Sequence, residues 1–184
     1  MQQILVQINV DMKRKILSKL IEWKNKKNRK PLIVNGARQV GKTYILKEFG
    51  SHYYEKMAYV NCDKNKTLDK IFSQDYNISR ILLSLSAILH VNIAPEYTLI
   101  IFDEIQEKPT VLNSLKYFCE DASQYHVAVA GSLLGISLHR DTSFPVGKVD
   151  MIKMYPMTFD EFLMAIDEQP LVDVLASKDF SIID

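Results

Sequence analysis

The chain has almost no net charge. Its 184 residues carry 23 Lys and Arg against 22 Asp and Glu, a formal balance of +1, so no global field argues for nucleic acid or an anionic membrane as partner. Cysteine is equally scarce. Cys62 and Cys119 stand far apart, in no metal-ligand or redox spacing, and read as two reduced cytosolic residues. Long apolar runs are missing too: the longest, residues 81–89, is too short to span a bilayer. Residues 1–10 lack a basic segment followed by an apolar one, so no signal peptide is expected and the reading places the chain in the cytoplasm. Neither an internal repeat nor a low-complexity tract is present. With 47% apolar residues, the length suits one ordinary globular domain with a real core.

What the chain does have is a phosphate-binding pattern. Gly36-Ala37-Arg38-Gln39-Val40-Gly41-Lys42-Thr43 follows the apolar run Leu32-Ile33-Val34 and leads into a helix from Tyr44. This is strand, Gly-x-x-x-x-Gly-Lys-Thr, helix, the P-loop in the context it requires. Gly36 and Gly41 let the backbone turn tightly and approach a phosphate. Successive N–H groups line an anion-binding concavity, and the helix N-terminus adds partial positive charge. The nucleotide-contacting set is therefore Gly36, Ala37, Arg38, Gln39, Val40, Gly41, Lys42, Thr43 and Tyr44. Lys42 is expected to reach the β- and γ-phosphates and the Thr43 hydroxyl to ligate Mg²⁺.

The remaining pattern alternates strands and helices. Asn9 or Asp11 can cap a helix to about Lys24, burying Ile16, Leu20 and Trp23. A basic connector, residues 24–30, could touch nucleic acid or an acidic partner. The simpler reading is a solvated helix end and loop, where cations suit the helix C-terminus. Gly50 and Ser51 are expected to stop the P-loop helix, and residues 57–61 to form the next strand. A short helix over 67–76 is followed by one from Ile78 to Leu89, capped by Asn77. Residues 97–102 form an apolar run of the kind found in a parallel strand covered on both faces. Pro109 suits the first turn of a helix to about Asp121. Strands are expected over 126–130, ended by Gly131 and Ser132, and over 149–154. Thr158 can cap a helix to about Asp167, and a weaker helical pattern follows from Pro170.

This order argues for an α/β fold, a three-layer sandwich around a mainly parallel five-stranded sheet. Ligands on such sheets bind at the carboxyl ends of the strands. The P-loop, Asp103 and Ser132 each follow a strand and should converge on one edge.

Asp103 and Glu104 end the apolar run. An apolar strand closing in Asp is the Walker B pattern, whose carboxylate holds Mg²⁺, usually through water. Glu104 is placed to orient and deprotonate the water that attacks the γ-phosphate. The inserted strand near 58–61 and this glutamate together point to the additional-strand, catalytic-glutamate branch of P-loop NTPases. That combination favours hydrolysis over transfer to an acceptor, and a small-molecule kinase would want an arginine-rich lid that the sequence does not offer.

Four motifs occur in order: residues 36–43, Phe102-Asp103-Glu104-Ile105-Gln106, Ala130-Gly131-Ser132-Leu133-Leu134, and residues 155–163. Together they resemble the N-terminal ATPase domain of a prokaryotic AAA-type P-loop ATPase family, usually described only as ATP-binding proteins. The resemblance covers about residues 16–163. It implies ATP and Mg²⁺ as cofactors, and it makes Ser132 similar to the sensor residue that hydrogen-bonds the γ-phosphate or the attacking water. A capping serine after a strand is the plain alternative. Gln106 could assist the water or hold Glu104, or lie on the surface of its loop. Arg38 has a solvent-facing or supporting role. Relatives often carry Gly-Arg before the last strand, whereas here Lys148 keeps the charge without the planar fork. Arg140 is the other cation in range, either as a finger acting in trans or as a plain surface arginine beside His139 and Asp141.

The resemblance further implies a C-terminal domain not seen here. The expected division is an N-terminal helix and connector (1–30), a P-loop ATPase core (31–168) and the start of a linker (169–184). The leading expectation is a magnesium-dependent ATPase with Glu104, Lys42 and Ser132 as its catalytic residues. The alternative is a nucleotide-gated interaction module with negligible hydrolysis. ATP rather than GTP rests on the resemblance, although the spacings used for guanine recognition are missing. A protein partner or effector domain and an oligomer are also implied, but no membrane.

Overall fold

Residues 98–103 form the strand that the rest of the domain covers. Every side chain in Thr-Leu-Ile-Ile-Phe-Asp is buried, as an apolar run flanked on both faces requires. The computed structural model describes residues 14–132 and 144–178. They comprise α1 (Ile16–Asn25), β1 (Leu32–Gly36), α2 (Lys42–Tyr53), β2 (Lys56–Asn61), α3 (Lys66–Phe72), α4 (Ile78–Leu89), β3 (Thr98–Asp103), a 3₁₀ turn (Ile105–Glu107), α5 (Pro109–Asp121), β4 (His126–Ser132), β5 (Asp150–Met154), α6 (Phe159–Ala165) and α7 (Gln169–Ser177). Residues 1–10 and the cation Arg140 lie outside the described residues.

The strands form one sheet in the order β2-β3-β4-β1-β5, and every pairing is parallel. The expected α/β sandwich is therefore observed, with an all-parallel sheet. One face of the sheet buries Ile33, Val60, Ile100, Phe102, Val127 and Val129 against α3, α4 and α5. The helices contribute Leu68, Phe72, Ile81, Leu85, Leu115 and Phe118, all nearly inaccessible. Each such side chain contributes roughly 1.5–3 kcal/mol relative to leaving it exposed. α2 lies against β1, β2, β3 and β4, burying Ile45, Leu46 and Phe49.

Local signals account for most boundaries. Asn77 Oδ1 accepts from Arg80 N at 3.0 Å and starts α4, and Pro109 opens α5. Three expectations fail. α1 starts at Ile16, several residues after the expected caps Asn9 and Asp11. Gly50 does not stop α2, which runs on to Tyr53. Its missing side chain lets β2 approach, since a Cβ there would lie 2.8 Å from Met57 Sδ. Gly131 and Ser132 do not end β4 but belong to it, paired with Asn35 and Gly36.

The basic connector is tied into the domain. Lys24 Nζ donates to the Tyr53 carbonyl, Arg29 to that of Lys24 at 3.0 Å, and Lys30 Nζ to that of Gly147 at 2.6 Å. Lys26 pairs with Asp150 at 2.7 Å, while Asp150 Oδ2 accepts the Lys30 N–H at 3.1 Å. Asp150 also pairs in register with Leu32, so this loop sets the start of β5 beside β1.

The chain divides into two compact units, residues 18–156 and residues 1–17 with 157–184. In the second, Glu161 accepts the Thr158 N–H at 3.0 Å and the Lys15 N–H at 2.8 Å. Arg14 lies 3.4 Å from the same carboxylate. Burial opposes the charge of Glu161, but the two N–H donors and Arg14 outweigh it and hold the pKa below the ordinary value. The Thr158 cap is thus as expected, with α6 ending at Ala165. No described helix is long and apolar enough to cross a membrane.

Candidate nucleotide-binding site

β1 carries the chain, fully buried, to Gly36. Ala37, Arg38 and Gln39 then emerge to solvent, Val40 turns inward, and α2 begins at Lys42. Gly36 is first of all a packing requirement. A Cβ there would sit 2.3 Å from the Met154 carbonyl oxygen of β5, a distance no real contact permits. Gly41 supplies the turn, at φ 92, and Gln39 is also left-handed at φ 63. Left-handed residues in such a loop aim successive N–H groups toward one side. Among the described residues no side chain caps α2 at Gly41, so the first N–H groups of the helix have no intrahelical acceptor. An anion seated there would meet both these donors and the positive end of the helix.

The Lys42 ammonium reaches back over the loop, donating to the carbonyls of Ala37 at 2.6 Å and Gly36 at 3.2 Å. Burial holds its pKa below the ordinary lysine value, opposed by Glu104 and Asp103 and aided by Arg38. One residue on, Thr43 Oγ1 donates to Asp103 Oδ2 at 2.7 Å. Helix and acidic strand end therefore meet at a single pair of atoms.

Asp103 is 4% exposed, yet its carboxylate is well supplied with donors. Oδ1 accepts the Glu104 N–H at 3.0 Å, and Oδ2 accepts Tyr59 Oη at 2.9 Å as well as Thr43. Tyr59 was not among the residues expected from the sequence. Burial first, and then the bond to Asp103, push its phenol up to about 12, so it is a protonated donor at neutral pH. Cys62 donates its N–H to the Asp103 carbonyl at 2.9 Å. Burial and the neighbouring carboxylates raise its thiol to about 12, which makes it an inert core residue.

Glu104 adopts a left-handed backbone, φ 52, at the start of the 3₁₀ turn. Gln106, in that turn, donates its side-chain amide to Glu104 Oε2 and accepts the Ser132 N–H at 3.2 Å. It is buried, which removes the surface reading, and its amide holds Glu104. Ser132 pairs in register with Gly36, so the end of β4 lies beside the start of the loop. Tyr44 stands 45% exposed at the first turn of α2. The fold thus gathers Lys42, Thr43, Asp103, Glu104 and Ser132 at one sheet edge.

Lys148 is not among them. It precedes β5 at the opposite edge and pairs with Glu120, near the end of α5, at 2.8 Å. A strand length separates it from the loop of its own chain, so it cannot act there in cis.

The donor set fits Mg²⁺. A threonine hydroxyl and a carboxylate are hard oxygen donors, and this ion takes few protein ligands while keeping waters and phosphate oxygens.

Comparison with known proteins agrees with this architecture. The model of the AAA domain family matches residues 28–163. A search of curated protein sequences gives no match. Among solved structures, Cdc6p from Pyrobaculum aerophilum superposes with a TM-score of 0.50 at 13% identity, over 91% of this chain and 52% of that one. PCH-2 from C. elegans gives 0.46 at 12% identity, over 88% and 46%. The chain spans about half the length of these two structures. At such identity the first likeness speaks to the fold alone, which is the α/β sandwich described above. The family match runs unbroken from before the loop to α6, and the chain belongs to the AAA domain family of P-loop ATPases.

Proposed function

We propose that this AAA domain binds ATP with Mg²⁺ and hydrolyses it to ADP and phosphate, the cycle driving a conformational change. The observation that carries the reading is the 2.7 Å bond from Thr43 Oγ1 to Asp103 Oδ2. It brings the phosphate-binding loop and the acidic strand end within reach of one cation. Backbone N–H groups between Gly36 and Tyr44 hold the phosphates. Lys42 exchanges the Gly36 and Ala37 carbonyls for the β- and γ-phosphate oxygens, a short swing for a flexible side chain. Thr43 and Asp103 would hold the Mg²⁺, which when bound would neutralise charge on the β- and γ-phosphate oxygens. Glu104 orients the attacking water and takes its proton, and the Ser132 hydroxyl steadies the water or the γ-phosphate. The phosphoryl group needs little covalent help, so catalysis is positioning and electrostatics.

A second reading has its own observation. The Gln106 amide already occupies Glu104 Oε2, which suits a nucleotide-gated module that hydrolyses negligibly until a partner frees the base. Steady-state phosphate release by the wild type and Glu104→Gln separates the two. Release abolished by the substitution supports the ATPase. Nucleotide binding without release in either protein supports the gated module.

The proposal extends to the surroundings of the site. The ATPase core spans residues 31–168, ATP is preferred over GTP on the strength of the family, and the protein acts in the cytoplasm. Its output goes to a protein partner or an effector domain. Assembly with further copies would supply a cation in trans, for which Arg140 and Lys148 are the candidates.

A further inference from the structure

We infer that Tyr59 is a positioning residue for magnesium at this site: its phenol fixes the rotation of the Asp103 carboxylate so that Oδ2 stays turned toward Thr43. The inference rests on the nucleotide reading above.

Tyr59 comes from the edge strand β2, outside both phosphate-site motifs. In the β2–β3 register it pairs with Ile101, while Asn61 pairs with Asp103. Its side chain must therefore lean along the strand to put Oη 2.9 Å from Asp103 Oδ2. Strand side chains do lean in this way. The ring is held in turn by Lys47, whose Nζ sits 3.7 Å from its centroid, a cation–π contact. Lys47 is four residues after Thr43 on α2, on the same helix face. The four residues close a circuit. Thr43 donates to Asp103, Tyr59 donates to Asp103, Lys47 covers Tyr59, and one turn of helix joins Lys47 back to Thr43.

Packing alone does not call for this arrangement. A tyrosine on an edge strand could cover α2 with its ring and send its hydroxyl to water. Here the hydroxyl is on the one oxygen that Thr43 also uses. A threonine hydroxyl can turn a lone pair to a cation while its proton remains on Oδ2, provided Oδ2 does not swing away. Oδ1 is pinned by the Glu104 N–H, and Tyr59 pins Oδ2. Without the phenol, only the Glu104 N–H and Thr43 oppose rotation of the carboxylate, and the cation must supply the rest at a cost to its affinity.

The test is binding of the fluorescent analogue mant-ATP to the wild type, Tyr59→Phe, Asp103→Asn and Lys42→Ala, in EDTA and across a Mg²⁺ titration. Tyr59→Phe keeps the ring beneath Lys47 and removes one hydroxyl. It should leave the affinity in EDTA as in the wild type. The Mg²⁺ concentration for half-saturation should rise about tenfold, the size expected for one hydrogen bond to a charged group. A Tyr59→Phe protein with wild-type Mg²⁺ dependence, alongside an Asp103→Asn protein whose dependence shifts, overturns the role of Tyr59 and leaves the nucleotide site standing. Equal loss of affinity with and without Mg²⁺ overturns it too, since that is the mark of general structural damage. If Lys42→Ala binds as the wild type does, or the wild type binds nothing, the nucleotide reading itself fails and this inference falls with it.

Discussion

The side-chain amide of Gln106 donates to the carboxylate of Glu104, two residues earlier in the same turn. Its carbonyl oxygen accepts the Ser132 N–H at 3.2 Å, so one buried side chain joins the proposed base to the strand that carries Ser132. Gln106→Ala would loosen Glu104 and strip the half-buried Ser132 N–H of this acceptor. Under the ATPase reading, kcat should fall about tenfold with KM within about twofold, because the loss is one of orientation in the reacting complex. Steady-state kinetics on the purified variant check this. An unchanged kcat would show that Glu104 does not depend on Gln106, and a raised one would show that Gln106 restrains it.

Gly36 and Gly50 predict opposite outcomes for the same substitution. At Gly36 an alanine Cβ would meet a backbone oxygen, Met154 O, at 2.3 Å, and neither strand can yield without parting β1 from β5. Gly36→Ala should cost about 2–4 kcal/mol, at the upper end for overpacking. At Gly50 the obstacle is the thioether of Met57, 2.8 Å away, which can move. Alanine in a helix also gains roughly 0.5–1 kcal/mol over glycine, so Gly50→Ala should be near neutral. Urea unfolding of both variants decides, and equal losses would contradict the account.

His126 makes the fold sensitive to acid. It is buried at the start of β4, 2.7 Å from Tyr54 Oη through Nδ1, and Nε2 has no hydrogen-bond partner among the described residues. Burial, then the cations Arg29 and Lys24, push its pKa down to about 3 from 6.5. The folded value lies below the unfolded one. Above pH 6.5 both states are neutral and the contribution is complete. As pH falls from there toward 3, the unfolded chain takes up a proton that the native state refuses, and stability drops by about 1.4 kcal/mol per pH unit. His126→Gln should flatten the stability–pH curve between pH 6 and 4 by roughly that slope, measured by urea unfolding at several pH values. Parallel curves for the two proteins would rule out His126 as the source.

The residues that proved legible in the sequence are those whose chemistry is local. Gly36, Gly41, Lys42 and Thr43 announce themselves because a phosphate loop needs those types at that spacing, and Asp103 because an apolar strand ends in an acid. Their convergence followed from the parallel sheet, whose strands open on one edge. Tyr59 was not legible. Its meeting with Asp103 depends on the register between β2 and β3, which no local pattern encodes. Gln106 stayed ambiguous, since a glutamine before a proline reads as surface until the 3₁₀ turn folds it under. Gly50 misled because glycine after an apolar helix is the usual stop signal, whereas here it admits a neighbouring strand. Lys148 precedes its strand, which in an all-parallel sheet puts it at the amino ends, away from the loop.

The loop around Lys42 and the carboxylate of Asp103 are proposed to make one site for a magnesium nucleotide. Isothermal titration calorimetry with ATP, in Mg²⁺ and in EDTA, on the wild type and Lys42→Ala tests it most directly. Wild-type binding should be strengthened by Mg²⁺, with a loss of at least tenfold in the variant, the worth of about one charge-assisted hydrogen bond. Equal affinity in the two proteins, or wild-type binding indifferent to Mg²⁺, would contradict it.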